Sequence, residues 1–172
     1  RVYAIDPHVG SVAHRNRNIK STFNILKKNV MEAGVDRYVE VIPKTSVEAN
    51  LNWPKKQRIS LLWIDADHGF HSVKEDFLLW SRYVTPGGII ILHDVIGLEG
   101  PRRLMLSYIL KSREFVCTSL VGEMATLKKK RKMKMRNLLS KDYFNFLSLL
   151  RNAMYFLVLS VFYKFDTPKS YK

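Results

Sequence analysis

Short apolar runs alternate with amphipathic stretches along the first 130 residues. Four of these runs have the length and composition of buried strands: residues 2–5, 38–42, 59–64 and 89–92. Between them, apolar residues recur at helical spacing, as Ile19, Phe23, Leu26 and Val30 do. This alternation predicts an α/β fold with a Rossmann-like, doubly wound and mostly parallel sheet.

Turn and cap residues divide these elements. Gly34 is expected to end the first helix, and Thr45 and Ser72 are each followed three positions later by glutamate, as in a capping box that begins a helix. Residues 86–88, Pro-Gly-Gly, predict a tight turn between a helix and a strand. Residues 115–120 and 124–127 predict an antiparallel pair at one sheet edge, joined through Gly122.

Polar side chains follow the predicted strands at their carboxyl ends, where open α/β sheets bind ligands. Asp65 and Asp67 follow the third strand, and His93 and Asp94 follow the fourth. In an extended backbone Asp65 and Asp67 point the same way, so they could share a divalent cation, or one could act as a base. Oxygen ligands with one imidazole suit Mg²⁺ or Mn²⁺ better than structural zinc.

The histidines of the loops are candidates of unequal weight. His68 adjoins Asp67, and its imidazole could take a proton from a substrate hydroxyl near neutral pH. His71 is expected to be solvated, and His8 and His14 are expected to be exposed loop residues. Asp6, at the end of the first strand, could accept hydrogen bonds from both hydroxyls of a ribose.

Composition and charge describe a domain with an appendage. The chain has 172 residues, of which 47% are hydrophobic. Because Cys117 is its single cysteine, an intrachain disulfide framework is excluded. We expect Cys117 to be buried in a strand. The net charge is +14, and residues 128–136 carry seven of the basic residues and no acid. This stretch predicts a basic linker before a helical tail, residues 137–172, which is mostly apolar.

The basic linker and the tail predict either of two associations. A basic run beside an amphipathic, aromatic-rich helix suits an anionic membrane surface, here through residues 128–165. The tail could instead pack on the domain or on a partner subunit in a homo-oligomer. Its uninterrupted apolar part is shorter than the roughly 20 residues that a membrane span needs. A cytoplasmic protein, membrane-associated at the inner face, is therefore expected.

Residues 63–95 (WIDADHGFHSVKEDFLLWSRYVTPGGIIILHDV) resemble the class I S-adenosylmethionine (SAM)-dependent methyltransferases. They are most similar to the branch with macrocin O-methyltransferase-like and cephalosporin-hydroxylase-like proteins. Residues 2–7 resemble the second strand of that family and its ribose-binding acid. The resemblance covers about residues 1–130 and implies a partial methyltransferase domain over residues 1–127.

The resemblance also implies roles for individual residues. Asp6 would hold the ribose of SAM, Thr45 and Ser46 would line the adenine pocket, and Asp65 would contact the cofactor. Asp65, His93 and Asp94 match positions that bind a divalent ion in metal-dependent members. Asp67, with His68 beside it, matches a position proposed as the general base.

The family's first strand and its glycine-rich loop would precede Val2 and do not occur in this sequence. We therefore interpret the chain as a fragment and expect it to bind SAM poorly by itself. The strands at residues 2–5 and 59–64 would have to pair with each other, or their edges would stay open and invite association.

The leading hypothesis is methyl transfer from SAM to a hydroxyl of a small-molecule acceptor, a sugar, glycan or natural product. One alternative takes Asp65 and Asp67 as the Asp-x-Asp of a nucleotide-sugar glycosyltransferase that holds manganese. Another is a non-catalytic basic module for a membrane or nucleic acid. No recognised nucleic-acid-binding motif accompanies the charge, which argues against nucleic acid.

Overall fold

In the computed structural model of the protein, the described residues are 1–10, 21–65, 67–131 and positions 150, 154 and 157. They divide into two units, residues 1–54 and 55–172. In each unit strands and helices alternate along the chain. Parallel pairing in both sheets, with antiparallel strands added in the second, confirms the predicted α/β class.

The first unit is a two-stranded parallel sheet with its crossover. Its elements are β1 (Val2–Ile5), α1 (Phe23–Glu32), a single 3₁₀ turn (Asp36–Tyr38), β2 (Val39–Ile42) and α2 (Ser46–Leu51). In the register of β1 and β2, Val2 lies opposite Val39 and Ile5 opposite Ile42. Parallel neighbours require a long crossover, and α1 lies within it.

The predicted C-terminal end of α1 and the predicted start of α2 are confirmed in this unit. Gly34 has a φ of +64°, and the N–H groups of Gly34 and Val35 close the last turn of α1 with hydrogen bonds of 2.9 and 3.2 Å. Thr45 and Glu48 form a full capping box at the start of α2. The Glu48 N–H donates to Thr45 Oγ1 over 3.3 Å, and the Thr45 N–H donates to Glu48 Oε2 over 2.9 Å.

The second unit contains a four-stranded sheet. Its elements are β3 (Ile59–Ile64), α3 (Phe70–Ser81), β4 (Val84–Leu92), α4 (Glu99–Leu104) continued by a π-helical turn (Met105–Ile109), β5 (Phe115–Val121) and β6 (Met124–Lys129). The strand order is β3-β4-β6-β5, with β3 and β4 parallel and the other pairs antiparallel. The predicted antiparallel pair at one edge, β5 with β6, is confirmed.

The core of this unit lies under α3 and α4. Phe77 of α3 is fully buried, and its ring meets the Phe115 ring edge-on at 5.1 Å between centroids. The predicted buried face of α3, with Val73, Phe77 and Trp80, is confirmed. Cys117 is buried in β5, as expected.

The strands β1 and β3 belong to different sheets. Their edges were expected either to pair with each other or to stay open. β1 pairs with β2, and β3 pairs with β4. Among the described residues, the outer edge of β3 has no neighbouring strand, and Leu61 and Trp63 on this strand are each more than half exposed. Such an edge offers unpaired backbone groups to another chain.

Two boundaries differ from the prediction. β4 begins at Val84 because its pairing with β3 starts before a bulge that shifts the register, with Ile59 opposite Val84 and Leu61 opposite Ile89. Residues 86–88 lie inside that bulge rather than in a turn before the strand. The expected capping box at Ser72 is wrong, since α3 already begins at Phe70, with Gly69 as its N-cap.

The basic run begins within the sheet. Lys128 and Lys129 are strand residues of β6, so the basic run overlaps the end of the sheet by two residues. Residues 137–172 lie outside the described residues apart from positions 150, 154 and 157, and the helical tail stays a prediction. Where the structure is described, no helix has both the length and the apolar character needed to cross a bilayer.

Candidate active site

Polar side chains converge at the carboxyl ends of β3 and β4. Asp65 follows β3, His93 and Asp94 follow β4, and the loop after β3 adds His68. The His93 N–H donates to the Ile64 carbonyl over 3.1 Å, which carries the parallel pairing one residue past the strands. The two strand ends therefore present their polar residues at one sheet edge, as the sequence predicts.

Asp94 lies between two imidazoles. Its Oδ2 is 2.9 Å from His68 Nε2, and its Oδ1 is 3.0 Å from His93 Nδ1. Asp65 Oδ1 approaches the same His93 nitrogen at 3.6 Å. The ring nitrogen Nδ1 of His93 is not aligned for a hydrogen bond with either carboxylate oxygen. Its contacts with Asp94 and Asp65 are therefore held by charge more than by a directed hydrogen bond. We call Asp65, His68, His93 and Asp94 the Asp94 network.

The backbone at Asp94 is held in an uncommon conformation. Its φ is +57°, which costs about 1 kcal/mol for a residue with a Cβ but is tolerated best by Asn and Asp. The Leu98 N–H donates to the Asp94 carbonyl over 3.1 Å, and the fully buried Val95 donates its N–H to the Glu123 carbonyl over 3.0 Å. These anchors fix the direction of the Asp94 side chain.

His68 is placed by the first turn of α4. A Cβ added to Gly100 would meet the His68 carbonyl oxygen and would lie 2.8 Å from the Phe70 backbone nitrogen. Gly100 has no positive φ, so its lack of a side chain serves this close approach rather than a turn. The helix thus presses on the loop that carries His68.

The pKa values of His93 and Asp94 move in opposite directions. Hydrogen-bond-range contact with Asp94 raises the pKa of His93 above 6.5, and burial opposes it more weakly. Burial raises the pKa of Asp94, but contacts with His93 and Glu123 and the charges of both histidines outweigh it and lower the pKa below 3.8. The network therefore favours a carboxylate beside an imidazolium.

Replacing Asp94 with asparagine is expected to bring the pKa of His93 back toward 6.5, because the carboxylate that stabilises the imidazolium is removed. Because the pKa of His93 is raised in the folded state, its contribution to stability is fully present below pH 6.5 and is lost as the pH rises through the folded pKa. Because the pKa of Asp94 is lowered, its contribution is fully present above pH 3.8 and is lost as the pH falls through the folded pKa. The stability difference between wild type and Asp94→Asn should therefore be largest between pH 3.8 and 6.5.

NMR titration of the His93 ring and urea unfolding across pH measure both effects. Exposed His71, observed in the same spectra, is the internal control, and its ring signals should be the same in both proteins. A stability difference that grows above pH 7 would contradict the assignment.

The predicted cation ligands are rearranged in the structure. One ligand atom each from Asp65, His68 and Asp94 lies within 4.8 Å of the other two. The sequence predicted His93 as the third ligand. In the described part of the chain, the histidine grouped with the two carboxylates is instead His68. His68 was missed as a ligand because its approach depends on the loop packing of α4.

Asp67 has a different environment from Asp65. Its Oδ1 accepts a hydrogen bond of 2.6 Å from the Gly69 N–H, two residues ahead of it at the N-cap of α3. It lies outside the group of possible cation ligands found among the described residues. The two carboxylates therefore do not share one site, although Asp67 stays exposed and next to His68.

In the first unit, Asp6 and His8 form a compact arrangement after β1. The His8 N–H donates to Asp6 Oδ1 over 2.6 Å, while the Asp6 side chain remains 60% exposed. His8, expected to be exposed, is instead buried, with Nδ1 2.9 Å from Thr22 Oγ1 and its ring against Phe23. A φ of +55° at His8 turns the ring inward, which the sequence did not reveal.

Three further predicted residues are less informative. Thr45 uses its hydroxyl in the cap of α2, and Ser46 is half-buried in the first turn of that helix. His14 lies outside the described residues.

The sequence model of a family described as "Methyltransferase domain" matches residues 1–95, more than half of the chain. The chain belongs to this family. The match includes β1, β2, β3 and β4 and ends one residue after Asp94, so it contains every residue of the Asp94 network.

Solved structures show the methyltransferase fold in other proteins. An O-methyltransferase from Bacillus cereus in complex with SAH has a TM-score of 0.56 and 19% identity, over 76% of this chain and 63% of that one. A proposed O-methyltransferase from Klebsiella pneumoniae has a TM-score of 0.56 and 18% identity, over 76% and 73%. TomG from Streptomyces achromogenes, an O-methyltransferase of tomaymycin synthesis in complex with SAM, has a TM-score of 0.51 and 18% identity, over 76% and 72%.

These comparisons confirm the expected class I methyltransferase domain. At these identities the structural likeness concerns the fold, and the family membership rests on the match over residues 1–95. The methyltransferase chain spans 63% to 73% of the three solved proteins.

Proposed function

We propose that this chain carries the catalytic part of a SAM-dependent O-methyltransferase. Its acceptor is a hydroxyl of a sugar, glycan or natural product, as in the macrocin O-methyltransferase-like branch. The observation that supports this most is the Asp94 network, a carboxylate between two imidazoles at the carboxyl ends of two parallel strands in a methyltransferase domain. The relatives of known structure that are O-methyltransferases, two of them in complex with SAM or SAH, agree with it.

Asp6 and His8 fit the ribose end of SAM. The Asp6 carboxylate is largely exposed and has one oxygen oriented by the His8 N–H, which leaves the other to accept hydrogen bonds from ribose hydroxyls. His8 Nε2 is buried and has no hydrogen-bond partner among the described residues, which is consistent with a missing polar ligand. Thr45 and Ser46 of the same unit would add contacts to the cofactor, and SAM when bound supplies an electrophilic methyl group.

His68 is suited to remove the proton of the acceptor hydroxyl. When His68 Nε2–H donates to Asp94, the lone pair of His68 Nδ1 is free to act as base. With SAM bound, the acceptor oxygen would bond to the methyl carbon as the methyl–sulfur bond breaks and its electron pair stays on sulfur, which leaves S-adenosylhomocysteine. The hydroxyl proton would move to His68 Nδ1, and Asp94 would stabilise the resulting imidazolium. His68 is about half exposed, so an acceptor could reach it.

A divalent cation fits an alternative form of the same site. Asp65, His68 and Asp94 would hold Mg²⁺ or Mn²⁺, and such an ion would lower the pKa of an acceptor hydroxyl. His68 would then be a ligand, and the neighbouring Asp67 would take the proton.

We expect SAM to bind in an Asp6-dependent way. Replacing Asp6 with asparagine should weaken binding by about tenfold or more, since a charge-assisted hydrogen bond contributes about 1.5–3 kcal/mol. Isothermal titration of SAM, with and without Mg²⁺, measures it in this chain and in a version extended upstream through the family's first strand and its glycine-rich loop. Asp36→Asn, an exposed aspartate of the same unit, is the matched control.

Binding only to the extended version would support the expectation that this chain binds SAM poorly by itself. A folded extended version that does not bind SAM would contradict the proposed function. Neither a glycosyltransferase nor a nucleic-acid module is favoured by an observation in the structure.

An apolar stripe favours an additional role in association. Leu150, Met154 and Leu157 are each helical and exposed by 50%, 65% and 63%, and they recur in the sequence at the i, i+4, i+7 spacing that is typical of one helix face. Together with the basic residues before them, this stripe supports attachment of residues 128–165 to an anionic membrane surface, at the inner face of a cytoplasmic membrane. A homo-oligomer through the same face is the alternative.

A further inference from the structure

The loop after β1 combines a left-handed backbone with a buried polar side chain. Among the described residues, His8 and Asp94 are the two residues other than glycine with a positive φ, +55° and +57°. His8 is also only 5% exposed, and its Nε2 has no hydrogen-bond partner in the described part of the chain. A left-handed backbone and an unpaired buried polar atom both cost stability. Their coincidence beside Asp6 indicates that His8 serves the site rather than the fold.

The Thr22 hydroxyl contacts the His8 ring instead of capping its own helix. Thr22 is the N-cap of α1, where a threonine hydroxyl usually accepts an N–H of the first turn. It makes no such hydrogen bond, and its Oγ1 lies 2.9 Å from His8 Nδ1. By contrast, Thr45 makes a full cap at the start of α2. A hydroxyl can donate or accept, so Thr22 can bond to Nδ1 in either tautomer of the ring.

The His8 ring links this hydroxyl to the Asp6 carboxylate. Phe23 holds the ring from a second side, edge-on, with 5.5 Å between the ring centroids. The backbone N–H of His8 donates to Asp6 Oδ1 over 2.6 Å. Because two residues of the α1 segment hold the ring, the backbone of His8 cannot turn away from Asp6 without breaking both of these contacts.

We infer that Thr22 is a positioning residue of the Asp6 site, which acts through His8. Its hydroxyl fixes the ring, the ring fixes the left-handed backbone, and the backbone N–H fixes Asp6 Oδ1. Oδ2 of Asp6 is then the oxygen left to accept hydrogen bonds from a vicinal diol of a ligand. This inference rests on the proposed function, in which that diol belongs to the ribose of SAM.

Three variants test the role of the hydroxyl: Thr22→Val, which removes it at nearly constant volume, Thr22→Ser, which keeps it, and Ser21→Ala as the matched control one residue before. The first readout is the amide proton shift of His8 without ligand. We expect Thr22→Val to move this signal upfield, because the hydrogen bond to Asp6 is no longer held short. Thr22→Ser and Ser21→Ala should resemble wild type.

An unchanged His8 amide signal in folded Thr22→Val would overturn the inference. A capping role of Thr22 would instead shift the amides of the first turn of α1. If Thr22→Val does not fold, His8→Gly decides, since glycine reaches the same φ with no ring to hold it there. Its amide at position 8 should lose the downfield shift, and a signal like that of wild type would contradict a role for the ring. Circular dichroism checks the fold of each variant.

The second readout is the affinity for SAM, measured by isothermal titration into the version of the chain that binds it. The Kd should rise about threefold to tenfold in Thr22→Val, as for one lost neutral hydrogen bond, and Thr22→Ser should restore it. The turnover number should stay unchanged, because the ribose is held equally in the ground and transition states. A lowered turnover number with an unchanged Kd would contradict positioning of Asp6.

A double-mutant cycle tests whether Thr22 acts through Asp6. In an Asp6→Asn background, Thr22→Val should weaken SAM binding less than it does in wild type. An equal effect in both backgrounds would show that Thr22 acts by another route. If neither this chain nor its upstream-extended version binds SAM, the proposed function fails, while the His8 amide signal still decides whether Thr22 positions Asp6.

Discussion

Replacing Gly100 with alanine is expected to destabilise the second unit by about 2–3 kcal/mol, the upper part of the range of a buried overpacking substitution. The added Cβ would meet the His68 carbonyl and the Phe70 backbone nitrogen, and backbone atoms cannot rotate away as the end of a side chain can. Either α4 or the loop after β3 has to shift. Urea unfolding gives the change in the free energy of unfolding, and the His68 ring resonances show whether the histidine leaves Asp94.

Gly69→Ala is the matched control for this substitution. Its Cβ would lie 3.0 Å from Asp67 Oδ1, at the end of a side chain that can move. We expect a cost of about 1 kcal/mol or less, as for a local adjustment at a loop. Equal costs for the two alanines would show that α4 does not press on the loop as the structure indicates.

Replacing His68 with alanine is expected to lower the turnover number of methyl transfer by about 10²–10⁴, the usual contribution of a general base. The fold should change little, because His68 is about half exposed and its ring is held by one contact to Asp94. Steady-state kinetics with SAM and a hydroxyl acceptor, together with the unfolding free energy, separate these effects.

His71→Ala provides the control, since His71 is an exposed histidine three residues further along the chain, in the first turn of α3. A His68→Ala variant with normal turnover would assign the proton transfer elsewhere. If Asp67→Ala then abolishes turnover, and Mn²⁺ binds to wild type but not to His68→Ala, the cation form of the site is the working one.

The elements with strong local signals could be predicted from the sequence. The bounds of β3 match the apolar run at residues 59–64, and the cap of α2 follows from Thr45 and Glu48 because both partners lie within one turn. The convergence of Asp65, His93 and Asp94 follows from strand polarity, since parallel strands end at the same edge. These predictions require only local periodicity and one rule of sheet topology.

The remaining features depend on packing between distant segments. His68 joins Asp94 because α4, at Gly100 thirty-two positions later, presses on its loop, and Val95 is anchored by the Glu123 carbonyl of a hairpin beyond that helix. The burial of His8 depends on a left-handed backbone conformation, which is uncommon for any residue other than glycine and which the neighbouring sequence does not signal. A histidine in a loop is usually exposed, so no local pattern distinguishes these cases.

The Asp94 network joins two strands of unequal protection. β4 is hydrogen-bonded on both sides, whereas β3 has a neighbour on only one side among the described residues. Local opening begins at sheet edges and spreads inward, so amide exchange should be faster in β3 than in β4. Because Asp65 and His68 follow β3 while His93 and Asp94 follow β4, opening of the edge strand would take the network apart before the rest of the sheet unfolds. Heating would then abolish activity at a lower temperature than it melts the core.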